Sequence, residues 1–279
     1  MALTHFSCAA FDLDGTLLNA RSELSPRTKA ALDALYHAGI AVIVASGRPF
    51  STIPKEILAL PAVRYVATGN GVRIYDKKLG RDVYQCTLAP ALLEDILQVV
   101  HYYPVGYEFF IQGKAFADRA YLANPAAFGA DAAGNAYLTR TRAPFDDVYQ
   151  FVRANRGNID SMGLSFADLS LKKQLWQRLE REFEGIYVTS SVPRLLEVAD
   201  QRAGKGQAVA VILNHLNLDP SGLVAFGDAD NDLGMLQLAG YGVAMANGEA
   251  HLKEAADRIA PHHDDDGVAK ILEELLKEF

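Results

Sequence analysis

Short runs of apolar residues, each ending in polar residues and a glycine, dominate both ends of the chain. The first, Phe6 with Cys8-Ala9-Ala10-Phe11, leads into Asp12-Leu13-Asp14-Gly15-Thr16. The second, residues 40–45, is rich in β-branched residues and ends in Ser46-Gly47-Arg48-Pro49. A run that is apolar at every position predicts a strand covered on both faces, as in a parallel sheet. Between the two, Ser25-Pro26 supplies an N-cap and a first-turn proline, Leu32 and Leu35 continue a helix, and Gly39 stops it. Strand, helix and strand in that order predict a right-handed crossover. Pro54 delays or kinks the next helix. Residues 65–68 form another strand, closed by Gly69-Asn70-Gly71, and residues 72–75 and 81–84 predict a hairpin around 76–80. The same texture returns late in the chain. Gly204-Lys205-Gly206 opens a helix through Leu213, and residues 223–226 are an apolar strand ending in Gly227-Asp228-Ala229-Asp230-Asn231-Asp232. A helix to Ala239, a strand over 242–245 and helices over 249–256 and 267–276 follow.

From Cys86 to Ser191 the pattern differs: aromatics are more frequent and no strand ends in Asp or Ser followed by glycine. Helical spacing covers 90–102, 145–152 and 169–183, the last with an apolar stripe of Leu171, Leu175, Trp176 and Leu179 that reads as core. Residues 107–111 and 115–117 flank a hairpin-like Gln112-Gly113-Lys114, and 187–191 and 195–199 are strand-like. The fold expected is α/β: a Rossmann-like, doubly wound parallel-sheet core formed by 1–85 and 192–279. An α+β cap domain, 86–191, is inserted into it and is itself of domain size.

Composition narrows the function. The 279 residues are half hydrophobic and carry a net charge of −7, which offers no general attraction to nucleic acid or to an anionic membrane. Cys8 and Cys86 make neither a disulfide framework nor a metal-type spacing. The N-terminus lacks a signal-peptide pattern and no apolar run approaches a membrane span, so a cytoplasmic enzyme is expected. Any phosphate it binds must be held by local groups against the global charge.

Four places in the sequence supply such groups: Asp12 with Asp14, Ser46-Gly47, Lys205, and Asp228 with Asn231 and Asp232. Each ends a strand or opens a helix, so each reaches the crevice at the carboxyl ends of an open sheet, where ligands bind. Strand alternation puts Asp12 and Asp14 on one side, and two such carboxylates repel unless a cation lies between them. Hard oxygen ligands favour Mg²⁺, and with it phosphate substrates.

The segments Phe-Asp-Leu-Asp-Gly-Thr-Leu-Leu, Ala-Ser-Gly-Arg, Gly-Lys-Gly and Gly-Asp-Ala-Asp-Asn-Asp-Leu-Gly-Met-Leu resemble, in this order, the motifs of the haloacid dehalogenase (HAD) superfamily. The turn 69–71, Gly242-Val-Ala-Met-Ala-Asn-Gly248 and the tail from 255 to 269 resemble its Cof-like branch, subfamily IIB. The resemblance implies a Mg²⁺-dependent phosphatase working through an aspartyl-phosphate. In it Asp12 is the nucleophile and Asp14 the acid and base. The metal is held by the Asp12 and Asp228 side chains and the Asp14 carbonyl. Leu13, Ser46, Gly47, Lys205 and Asn231 bind phosphate, and Asp232 stands behind them. The implied substrate is a small phosphorylated metabolite such as a sugar phosphate. A phosphosugar mutase or transferase of the same fold is the alternative. A non-enzymatic phospho-acceptor switch is a third reading, opposed by Asp14 and by the large insertion. Tyr107, Phe110, Arg119 and Tyr121 are the cap residues put forward for choosing the substrate. The run His262-His263-Asp264-Asp265-Asp266 reads as a solvated loop before the last helix. Oligomeric state is not legible in this pattern.

Overall fold

The computed structural model describes residues 6–277, and no helix among them is long and apolar enough to cross a membrane. In chain order the strands are β1 (Cys8–Phe11), β2 (Ala41–Ala45), β3 (Val63–Thr68), β4 (Arg73–Asp76), β5 (Arg81–Gln85), β6 (Gly106–Ile111) and β7 (Lys114–Asp118). They continue with β8 (Arg142–Phe145), β9 (Ile159–Ser165), β10 (Ile186–Thr189), β11 (Leu195–Asp200), β12 (Leu223–Gly227), β13 (Tyr241–Met245) and β14 (Arg258–Ala260). Two compact units divide them: residues 1–47, 53–84 and 204–279 in one, 48–52 and 85–203 in the other.

The first unit holds a sheet ordered β14, β13, β12, β1, β2, β3, β4, β5. Neighbours are parallel from β14 to β3, and β4 runs antiparallel to β3. Strand alternation sends successive side chains to opposite faces. Ala9 and Phe11 therefore join Val42, Val44, Val224 and Phe226 in one core, against the helices Pro26–His37 and Gly267–Leu275. Cys8 and Ala10 join Ile43, Ala45, Leu223 and Ala225 in the other, against Lys205–Leu216 and Leu233–Leu238. Both faces are covered, which is why these strands read as unbroken apolar runs. The helix Pro26–His37 starts as its sequence dictates: the Ser25 side chain accepts from the Thr28 amide, and Gly39 follows its end at φ 75°.

The second unit has its own sheet, ordered β10, β11, β9, β6, β7, β8, antiparallel except for the β7–β8 pair. Phe109, Met162, Leu164, Leu196 and Val198 pack with Leu93, Ile96, Leu175 and Leu179 from the helices Pro90–Val100 and Leu169–Glu182.

The structure changes several expectations within and around this insertion. Its C-terminal limit lies near Ala203, not Ser191, because β11 pairs with β9 and β10 and not with the parallel sheet. Residues 48–52, expected in the core, group with the second unit, where the Ser51 amide donates to the Gly113 carbonyl. The helix expected over 145–152 starts later, as Val148–Ala154 capped by Asp147, because Phe145 ends strand β8. Strand β9 was not expected at all. It carries Asp160, Ser161 and Ser165 in fully buried positions, so neither a clean alternation nor an apolar run marks it. Asp160 is satisfied by donors from Gln85 and from the Gly113 amide.

Candidate active site

Strand β1 ends at Phe11, whose ring stacks on Phe226 of β12 at 5.0 Å. The Asp12 amide donates to the Phe226 carbonyl at 3.1 Å, so Asp12 leaves the sheet beside Gly227 and Asp228. Ser46 leaves β2 at the same end, its amide donating to the Ala67 carbonyl at 2.9 Å. Lys205 is the first residue of its helix and only 1 % exposed. Its Nζ lies 2.6 Å from Asp12 Oδ1 and 2.6 Å from Asp232 Oδ1. Asp232 uses its other oxygen to accept from the amides of Asp228, at 2.9 Å, and Ala229, at 3.1 Å. It thus folds the turn after β12 and anchors Lys205 with one carboxylate.

Asp228 comes close to the loop that follows Asp12 because Gly15 has no side chain. Gly15 sits at φ 78°, and a Cβ there would stand 2.5 Å from Asp228 Oδ2. Thr16 Oγ1 donates to Asp228 Oδ1 at 2.7 Å. The carboxylates of Asp12, Asp228 and Asp232 offer oxygens that all lie within 4.8 Å of one another.

Electrostatics mark this cluster as short of positive charge. Burial and then the neighbouring Asp232 push the Asp228 carboxyl up to about 6, opposed by Thr16, Lys205 and His263. Burial pushes Asp12 up as well; Lys205 pulls it down, and Asp232, Asp228 and Asp14 push it further. Burial acts to lower the Lys205 pKa, but Asp12 and Asp232 outweigh it and hold the ammonium protonated. Three carboxylates against one ammonium leave an excess of negative charge in a set made only of oxygen donors. That is the donor chemistry a hard divalent cation fits. Of the three, Asp12 and Asp228 suit it better, since Asp232 already holds Lys205 and two amides.

Asp14 does not owe its place to strand alternation, because β1 ends at Phe11, before either carboxylate; its charge still adds to those that push Asp12 up. Asp14 is exposed, forms an isolated bridge with Leu18, and its carboxylate is outside the three-residue cluster. Leu13 is buried and its carbonyl accepts from the Leu18 amide at 2.8 Å. Gly47 follows Ser46 in the turn after β2. Asn231 is buried in the short helix Asp230–Asp232, its Nδ2 donating to Asn70 Oδ1 at 2.9 Å.

Three residues of this end of the sheet stand inside the family-like segments of the sequence without a role assigned to them there. Besides Thr16 and Asn70, Asn247 donates from Nδ2 to the Gly15 carbonyl at 2.7 Å and accepts from the His263 amide at 3.1 Å. The loop 262–266 is also more than solvated. His263 is mostly buried, its Nδ1 lies 2.7 Å from the Leu18 carbonyl, and Asp264 accepts from the Ala20 amide at 2.8 Å. Together these contacts fasten the segment that follows Asp14.

The family model of haloacid dehalogenase-like hydrolases matches residues 9–272. Phosphatase YwpJ of Bacillus subtilis is 29 % identical over 284 residues, covering 96 % of this chain and 99 % of that protein. An HMP-PP phosphatase of Yersinia pseudotuberculosis is 30 % identical over 89 % of this chain and 87 % of its own. The solved structure of a haloacid dehalogenase-like hydrolase from B. subtilis superposes with a TM-score of 0.84 at 26 % identity, over 96 % of this chain and 99 % of that one. The match over nearly the whole chain, on a parallel sheet whose carboxyl ends gather Asp12, Ser46, Lys205 and Asp228, makes this protein a member of the HAD-like hydrolases, subfamily IIB, and a phosphoric monoester hydrolase.

Proposed function

We propose that the enzyme hydrolyses phosphomonoesters of small metabolites, sugar phosphates among them, with Mg²⁺ as its cofactor. Asp12 attacks phosphorus, the bond to the leaving oxygen breaks, and the phosphoryl group rests on the Asp12 carboxylate as an acyl phosphate. Asp14 gives the leaving oxygen its proton and then takes one from the water that attacks the acyl phosphate. An exposed carboxylate suits that exchange, because it can trade protons with solvent between the two steps. Ser46, the main chain at Leu13 and Gly47, Lys205 and Asn231 hold the non-transferred oxygens. Asp232 keeps Lys205 in place. Mg²⁺ would be held by the side chains of Asp12 and Asp228 and the Asp14 carbonyl. There it would supply charge screening between the nucleophile and the phosphate dianion.

The observation that carries this reading is the buried Lys205 ammonium, fixed at 2.6 Å by both Asp12 and Asp232 beside Asp228. It is a preset positive charge at the start of a helix in an acidic protein. The relatives are named as phosphatases, and HMP-PP is the substrate in one relative's name. The class of small phosphorylated metabolite is what we extend to this chain.

The test is a panel of phosphorylated metabolites assayed with Mg²⁺ and with chelator, alongside Asp12→Asn. We expect hydrolysis of at least one sugar phosphate, its loss on chelation, and no turnover by the variant. Near wild-type turnover by Asp12→Asn, or activity indifferent to chelation, would remove Asp12 or the metal from the scheme.

A further inference from the structure

Asn70 lies at the end of β3, between two glycines, with no place in the scheme above. Its backbone is left-handed at φ 55°, flanked by Gly69 at 57° and Gly71 at 88°. Asparagine tolerates that conformation better than other side-chain-bearing residues, and glycine tolerates it freely. The residue is 3 % exposed. Three of its polar groups meet different parts of the site. Its amide donates to the Ser46 carbonyl at 3.0 Å. Its carbonyl accepts from the Gly204 amide at 2.7 Å, immediately before Lys205. Its Oδ1 accepts from Asn231 Nδ2 at 2.9 Å.

The close approach is structural as well as polar. A Cβ at Gly71 would stand 2.3 Å from the Gly204 carbonyl oxygen, so the turn packs directly on the backbone that presents Lys205. Asn231 Oδ1 is buried with no hydrogen-bond partner, so among the described residues Asn70 is what orients that amide. The two ends of an amide exchange by rotation; accepting one Nδ2 hydrogen fixes which end is the nitrogen and leaves its second N–H as the donor a phosphate oxygen needs, while Oδ1, an acceptor, can hold none.

We infer that Asn70 is a positioning residue for phosphate. Its side chain sets the orientation of Asn231, and its main chain holds Ser46 and the start of the Lys205 helix in register with it. The inference rests on the proposed roles of Ser46, Lys205 and Asn231 and adds the residue that ties them together. Asn70 touches no reacting atom in this account; it acts through the other three.

Asn70→Gly separates the two roles, because glycine keeps the left-handed turn and its main-chain bonds while removing only the amide side chain. The experiment measures kcat, KM and competitive inhibition by inorganic phosphate for wild type, Asn70→Gly, Asn231→Ala and the double variant, with Tm for each. Losing one buried hydrogen bond corresponds to up to about tenfold in binding. We expect the phosphate inhibition constant and KM of Asn70→Gly to rise by about that factor. Its Tm should move by no more than about 4 °C. The double variant should be no weaker toward phosphate than Asn231→Ala alone, since both changes remove the same contact. Wild-type phosphate inhibition and KM in Asn70→Gly, or losses that add in full in the double variant, would overturn the inference. If instead wild type hydrolyses no phosphoester, or Asp12→Asn remains active, the underlying scheme has failed and not the role of Asn70.

Discussion

Asp12 and Asp14 are two residues apart, yet one is 5 % exposed among carboxylates and the other is open to solvent. Such a difference in surroundings suits different tasks: a buried nucleophile and a proton carrier that recharges from water. Asp14→Asn should therefore divide the two half-reactions. A nitrophenyl phosphate needs no proton on its leaving group, so the variant should release one equivalent of nitrophenol and then stall. Loss of the base slows the second step by about 10²–10⁴-fold. Rapid mixing with intact-mass detection should find phosphate on the protein, and a sugar phosphate should give no burst. Steady turnover at the wild-type rate, with no phosphoprotein, would contradict both assignments. At this scale the sequence pointed to Asp12, Lys205, Asp228 and Asp232 because each sits where an apolar run stops or a helix starts. The roles of Thr16, Asn70 and Asn247 were hidden because a small polar residue in a turn has an ordinary local reason to be there. Their partners Asp228, Asn231 and Gly15 lie 212, 161 and 232 positions away.

Among the elements, the β3–β4 pair holds a charge that nothing in the residue pattern singles out. Asp76 ends β4 with its side chain fully buried, accepting from Arg64 across the pair at 2.9 Å and from the Lys78 and Leu79 amides at 2.8 and 3.3 Å. Burial acts to raise its pKa, but Arg64 and the two amides outweigh it and hold the carboxyl below its usual range. A depressed carboxyl contributes stability in full above its unfolded pKa of about 3.9, and that contribution fades as pH falls through the folded value. Asp76→Asn should cost about 1–2 kcal/mol at pH 7, between an exposed and a fully buried pair because Arg64 is partly exposed. The gap from wild type should stay constant down to about pH 5 and close in stronger acid. Urea titrations across that range measure it, and a gap that widens on acidification would refute the assignment. The hairpin itself was legible, from strand-like residues around Asp76 to Gly80. Strand β9 was not, since Asp160 and the serines are buried by partners such as Gln85, far away in the chain. Helix and strand periodicity report a face turned to water, and β9 has none.

The two-unit organisation was visible as a change of texture, because a strand buried on both faces and ending in a polar turn looks unlike the strands of an antiparallel sheet. Its far limit was misjudged because residues 195–200 are apolar enough to suit either sheet, and only pairing with β9 decides. The placement of β1 between β12 and β2 has a temporal consequence. A chain emerging from the ribosome presents Asp12 and Ser46 first, then all six strands of the second unit, and only afterwards Lys205 and β12. The second unit can close on contacts within residues 85–203, whereas β1 must wait for a partner more than two hundred positions later. Distant pairings form more slowly than local ones. The chain carries a natural reporter of this order. Its single tryptophan, Trp176, packs against the second unit's core, while the proposed chemistry lies in the first. On refolding from denaturant, Trp176 fluorescence should recover before phosphatase activity, and recovery of both in one shared phase would contradict the order. During synthesis the same asymmetry means that a chain halted between residues 203 and 223 carries a finished second unit and an Asp12 whose strand still lacks one of its two neighbours.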